Sequence, residues 1–291
     1  MPEVTVIETR PSHGTADGLA VRTTVPTRRG SPRALPPWVP PAAVFVVFLL
    51  VWQGAISALG VPSYLLPGPW KIGETALNRW RDLAEATAAT FESAVLAFGL
   101  AVVVGTLVAL AMSQSKLLER SIYPYAIMLQ TIPVVAIAPL IVIWLGAGMP
   151  AVVCIGFIIA VFPIISNTTV GLTSTDHNLV NLMEMYNATW WQRLIKLRFP
   201  AALPYIMAGL RISSGLAVIG VIVGEFIAGI GGLRGGLGYT ITNAAGRLDM
   251  PYLFAAALTS SLLGIVIFIA VNLISDRSLR HWHESSVTFE N

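Results

Sequence analysis

Polar and charged positions in this chain are gathered into short intervals between long apolar runs. Six runs reach the roughly 17–25 residues that a helix needs to cross a bilayer core: 42–59, 87–112, 123–145, 151–173, 203–230 and 252–275. None alternates with a period of two, and backbone groups in lipid must be paired within the segment, so the runs predict helices and not barrel strands. Between the first two, Pro67-Gly-Pro-Trp70 reads as a turn leading into an amphipathic helix. Its Trp70, Ile72, Leu77, Trp80 and Leu83 are expected to share one face at the membrane boundary.

Composition agrees with that pattern. The 291 residues are 55% hydrophobic and 11% charged, with a mean hydropathy of +0.73, which puts the chain outside the range of soluble domains and makes it an all-α integral membrane protein. Lys and Arg near the span ends set the orientation. With the N-terminus in the cytoplasm, eleven basic residues fall inside, among them Arg22, Arg28, Arg29, Arg33, Lys116, Arg120, Arg193, Lys196, Arg198, Arg277 and Arg280, against five outside, Lys71, Arg79, Arg81, Arg234 and Arg247. Both termini are therefore expected in the cytoplasm, and so is the loop at 174–202. The net charge of +3 fits anionic lipid at that boundary and calls for no nucleic acid.

Three parts are expected: a disordered cytoplasmic tail at 1–41, a six-span membrane domain at 42–280 and a short cytoplasmic tail at 281–291. The first tail is rich in Pro, Thr, Arg and Gly and lacks apolar periodicity. Ala55-Ile-Ser57 resembles a signal-peptide cleavage site, but the polar lead is too long and the apolar core too extended for one. Cys154, the single cysteine, lies within the fourth run and reads as a small buried apolar residue. No repeat of fixed period is visible.

Candidate chemistry is sparse. Gly231-Gly-Leu-Arg-Gly-Gly-Leu-Gly238 lacks the Lys-Ser/Thr ending of a phosphate loop and lies on the outer side. Its glycines suit a tight backbone path, followed by a short helix over 239–247. No metal-binding His-Glu-x-x-His or nucleophile elbow occurs, so no catalytic, cofactor or metal site is expected. Three charges do fall inside runs: Glu92, Arg211 and Glu225. Each costs on the order of 2.5–3.5 kcal/mol at a helix centre, so each should face protein or a water-filled cavity. Arg211 sits near the inner end, where reaching out to lipid phosphate is an alternative. For Glu92 and Glu225 a structural or gating role stands beside ligand contact. Gly220 and Gly224 have the spacing that lets helices approach closely, either at a seam between two copies or within one chain. Pro133 and Pro139 in the third run, and Pro163 with Ser166, Asn167, Thr168 and Thr169 in the fourth, predict bent helices.

The loop and its neighbours carry a resemblance. Residues 184–206, above all Ala188-Thr-Trp-Trp-Gln-Arg193 and Phe199-Pro-Ala-Ala-Leu-Pro204, resemble the cytoplasmic loop of permease subunits in binding-protein-dependent ABC importers. Thr131-Ile-Pro-Val-Val-Ala-Ile-Ala-Pro-Leu140, Trp144-Leu-Gly-Ala-Gly148, Gly209-Leu-Arg211, Gly224-Glu-Phe226 and Gly236-Leu-Gly-Tyr239 are similar to the sulfonate, taurine, nitrate and thiamine-precursor branch. The likeness runs from about residue 66 to about residue 279.

One departure stands out. The family loop opens with Glu-Ala-Ala and has a glycine four residues after the second Ala, positions held here by Asn181, Leu182, Met183 and Asn187. Glu184 is a substitute for the acidic contact, and Asn187 tolerates a left-handed backbone better than most residues. Residues 179–188 are expected to form a short helix with Leu182, Met183 and Tyr186 on one side, an apolar knob for a partner's groove. The resemblance implies a type I importer permease fold of the methionine-importer kind in the bacterial inner membrane. It further implies a homodimer, two cytoplasmic ATPases that bind ATP and Mg, and an extracytoplasmic solute-binding protein. The docking element would comprise Leu182, Met183, Glu184, Tyr186, Asn187, Ala188, Pro200 and Pro204. A stand-alone ion-coupled carrier using Glu92 and Glu225 is the alternative. Sulfonates, nitrate-like anions, aromatic carboxylates and pyrimidine precursors all fit as solutes.

Overall fold

The computed structural model describes residue 36, residues 39–229 and residues 235–280. The two expected tails lie outside the described residues, except for Pro36 and the start of the first helix, as do Ile230 and the first half of the glycine-dense segment, residues 231–234. The described residues from Leu49 onward form one compact unit, and the described residues through Phe48 belong to another.

Every described element is helical. Five helices are each long and apolar enough to span a membrane, and a bent pair makes a sixth when its arms are taken together. The spans are α1 (Val39–Leu59), α3 (Trp80–Met112), the pair α4 (Lys116–Thr131) and α5 (Val134–Leu145), α6 (Met149–Thr173), α9 (Phe199–Ala228) and α11 (Met250–Arg280). Short helices join them: α2 (Pro69–Asn78), α7 (His177–Met185), α8 (Trp190–Arg193) and α10 (Leu237–Gly246). The helix expected over 239–247 thus begins two residues earlier.

The third span is not one helix. Its arms meet at 97°, and the reason is Pro133. A proline disfavours helical backbone in the residue before it, and Ile132 is extended at ψ 125°. Pro133 itself caps α5 and accepts from the amide of Ala136. Pro139 lies within α5 and does not end it.

The expected amphipathic face at 70–83 also divides. Ile72 and Leu83 are buried with Ala86, Leu237 and Ala255, whereas Trp70, Leu77 and Trp80 are exposed. Ile72 is two residues from Trp70, about 200° around a helix, so the two point to opposite sides. A break at Arg79 separates α2 from α3.

The centre of the unit is the pair α6 and α9. A Cβ on Gly220 would lie 2.8 Å from the Cα of Gly156, and one on Gly224 would lie 3.1 Å from the Cα of Val152. These glycines serve packing within the subunit. In lipid, helix association rests on such backbone approach, because apolar burial offers little. Ser213, fully buried, donates to the carbonyl of Ala160 at 2.7 Å and fastens the pair. Ala97 and Ala101 of α3 complete the layer.

Gly220→Val should therefore destabilise the folded protein by about 1–3 kcal/mol, read as a lowered melting temperature in detergent. Gly215→Ala, with open space at its Cβ, should leave the melting temperature unchanged or raise it.

Candidate functional site

Most of the loop at 174–202 is helical. Asp176 caps α7 by accepting from the amide of Asn178 at 2.8 Å. The helix ends in a left-handed residue, Asn187 at φ 54°. The amide of Asn187 bonds to the carbonyl of Glu184 and that of Ala188 to the carbonyl of Met183, both at 2.9 Å, which satisfies the last carbonyls in the Schellman pattern. Thr189 and Gln192 then form a reciprocal capping box that starts α8. From Trp190 the chain stays helical to Ala228, a run of 39 residues. Its second segment, Leu194–Arg198, is wound as a π-helix. Pro200 follows at the start of α9 and has no N–H to give the carbonyl of Lys196, so the ladder widens to i→i+5 bonds such as Phe199 N to Leu194 O. Pro204 sits inside α9.

The exposed face of α7 differs from the expected one. Leu179, Leu182, Met185 and Tyr186 are exposed, the last two at 81% and 79%, and they recur at helical spacing on one side. Met183 is half-buried. Leu179 and Met185 were not anticipated, although an i, i+3, i+7 count from Leu179 finds Leu182 and Tyr186.

Three contacts tie this element to the spans. Arg193 is ion-paired with Glu184, which holds α8 against α7. Arg198 donates to the carbonyl of Ser113 at the C-terminus of α3, at 3.2 Å. Leu194 is buried with Leu172 of α6 and with Ala202 and Ile206 of α9. Arg198 and Ser113 lie 85 residues apart in sequence, so nothing local announces their pairing.

Arg211 is held by α11. Its guanidinium donates to Ser275 Oγ at 2.8 and 3.0 Å and to Asp276 Oδ1 at 2.6 Å. Asn167 Nδ2 donates to the carbonyl of Pro163 at 2.8 Å, beside Gly209 of α9.

At the far end of α9, Glu225 is buried at 5% exposure. Thr90 of α3 donates its hydroxyl to this carboxylate at 2.9 Å, and the amide of Gly238 donates to Oε2 at 2.7 Å. The Thr90 oxygen in turn accepts from the amide of Leu237 at 2.8 Å. Two free amides at the N-terminus of α10 are thereby satisfied by one carboxylate and one hydroxyl. Glycine is needed here: a Cβ on Gly236 would lie 2.0 Å from Glu225 Oε1. The same end carries a second clamp, in which Arg79 pairs with Asp249 at 2.9 Å and stands 4.5 Å over the ring of Tyr252. Glu92 is exposed on the outward side of α3, without a hydrogen bond or ion pair to any described residue. The structure thus brings Glu225 and the α10 glycines together, and keeps Glu92, Arg211 and the 176–198 element apart from them.

Comparison with known proteins places this geometry. Residues 101–281 match the family model of the binding-protein-dependent transport system inner membrane component. The formylaminopyrimidine transport permease protein ThiX of Halalkalibacterium halodurans is 36% identical over 81% of this chain and 93% of its own. The riboflavin transport system permease protein RibX of Chloroflexus aurantiacus is 33% identical over 90% of this chain and 99% of its own. The nitrate import permease protein NrtB of Synechocystis is 29% identical over 83% of this chain and 90% of its own. Among solved structures, a chain of the MetNI methionine ABC transporter in an inward-facing conformation superposes with a TM-score of 0.59 at 18% identity, covering 71% of this chain and 99% of that one.

Removing the buried acceptor tests the α10 anchor. Glu225→Ala leaves the Gly238 amide and the Thr90 hydroxyl without their partner and should cost about 1–3 kcal/mol. Glu225→Gln keeps one acceptor oxygen and should cost less. Melting temperatures in detergent should rank wild type, Gln, Ala in descending order; equal values for all three would show that the carboxylate does not hold the helix.

Proposed function

This chain belongs to the family of binding-protein-dependent transport system inner membrane components, and we propose that it works as the membrane lever of an ATP-binding cassette importer. It is a multi-pass permease component. In the proposed mechanism two copies enclose a pathway, two cytoplasmic ATPases dock on the α7 elements, and a solute-binding protein delivers a small organic or anionic solute to the opposite face. ATP and Mg bind the partner subunits. Both termini lie in the cytoplasm, in keeping with the excess of Lys and Arg on that side.

One observation carries the reading: the exposed apolar face of α7, formed by Leu179, Leu182, Met185 and Tyr186. An unpartnered apolar face on a short, fully capped helix is what a groove on another protein receives. The element is mechanically connected as well. Arg193–Glu184, Arg198 to Ser113 O and the buried Leu194 link it to α3, α6 and α9. ATPase closure would displace α7 and, through the unbroken helix from Trp190 to Ala228, tilt α9 and its partner α6 as a body. Alternating access follows when the ATP-bound dimer favours the outward-open arrangement and the nucleotide-free one the inward-open arrangement. Glu225, which a self-powered carrier would use as an ion site, has both oxygens engaged by Thr90 and Gly238. The relatives' printed substrates, a formylaminopyrimidine, riboflavin and nitrate, support a solute class chosen by the binding protein.

Uptake into vesicles tests the energy source. With the proton gradient collapsed, uptake should persist with ATP and stop without it; gradient-driven uptake that ignores ATP would overturn the reading. Leu182→Asp with Tyr186→Asp should leave insertion intact and reduce ATPase co-purification at least tenfold, and undiminished co-purification would show that docking lies elsewhere.

A further inference from the structure

The surface of α3 on the α2 side carries a feature that transport does not use. A groove of about 530 Å³ runs between α2, α3 and α11, lined by Ala76, Trp80, Ala84, Ala88 and Phe91 over a floor of Leu83 and Leu263. Its two hydroxyl residues have their protons engaged by the backbone: Thr87 donates to the carbonyl of Leu83 at 2.6 Å and Thr259 to that of Ala255 at 2.8 Å. The walls therefore present methyl, methylene and ring carbons, and a polar solute would lose hydrogen bonds on entering. Trp80 and Phe91 are eleven positions apart, roughly 16 Å at about 1.5 Å per residue, close to the hydrocarbon depth of one leaflet, about half of 30 Å.

The groove's mouth has a different character. Trp80 is exposed there, as aromatic rings are at a membrane boundary. Arg81 is exposed and its guanidinium stands 5.6 Å from the centre of the Trp80 ring. It makes no ion pair with a described residue, unlike Arg79 and Lys71 beside it, which are paired with Asp249 and Glu74. A cation stacked on an interfacial tryptophan above an apolar slot complements a molecule with a phosphate head and a hydrocarbon chain.

We propose that this groove is a specific site for an anionic phospholipid, one acyl chain lying along α3 between Trp80 and Phe91 and the headgroup phosphate held by Arg81. A bound chain would splint α2 and α11 to α3 at the end where Glu225 anchors α10.

The probe is phosphatidylglycerol carrying a nitroxide quencher midway along one acyl chain, added to the purified full-length protein. The protein carries Cys154→Ala and Glu85→Cys, an exposed position beside the slot and outside its lining, the new thiol bearing a small fluorophore. Saturable quenching is expected, and Arg81→Gln should raise the half-quenching lipid fraction about fivefold. Filling the slot with Ala84→Leu should abolish the saturable component while the melting temperature stays within a few degrees. Equal half-quenching for wild type and Arg81→Gln would overturn the headgroup assignment, as would equal binding of phosphatidylcholine. Spontaneous disulfide formation between Glu85→Cys residues of two chains would overturn the site itself, because a second copy would then occupy the groove.

Discussion

Backbone contact between α6 and α9 is the constraint on which the remaining structure depends. Two apolar helices in a bilayer gain little from leaving lipid for each other, so their association must come from close packing and from hydrogen bonds between them. Gly156 opposite Gly220 brings the backbones to a distance that a Cβ would not permit, and Gly224 opposite Val152 leaves little more room. Ser213 adds a buried bond across the seam. The result is a closely packed helix pair.

Function follows from what is attached to the two ends of that pair. At one end α9 continues through a π-helical segment into α8, which Arg193 joins to Glu184 of α7. At the other end Glu225 of α9 accepts from the amide of Gly238 and Thr90 of α3 from that of Leu237, which anchors α10. In the proposed mechanism a push on α7 is delivered along α9 toward its α10 end. Arg211 braces α9 against α11 through Ser275 and Asp276, which explains a charge that the lipid alone would have made costly.

Much of this was legible in the residues. Runs of apolar side chains located the spans, because lipid requires long uninterrupted stretches. Asn187 announced its turn through backbone chemistry. Side-chain direction was less readable. Met183 was expected outward and is half-buried, while Met185 is exposed, since a short helix between two caps has no periodic run long enough to fix its rotation. Pairings across long sequence distance left no local trace at all: Thr90 with Glu225, Arg198 with Ser113 and Arg79 with Asp249 exist only once the helices are assembled. The bend at Pro133 was signalled by its proline, but its magnitude was not, because Pro139 carries the same signal and α5 runs through it unbroken.

The central claim is that α9 carries motion as a single rod from the 176–198 element to the α10 end. The most direct measurement is pulsed electron resonance on the transporter assembled with its ATPases, with spin labels at Ile195 in one preparation and at Leu248 in another, reading the distance between equivalent sites of the two copies. Trapping with ATP and vanadate should shift both distance distributions together. A shift at Ile195 with none at Leu248 would show that the force is absorbed within the bundle and would contradict the account.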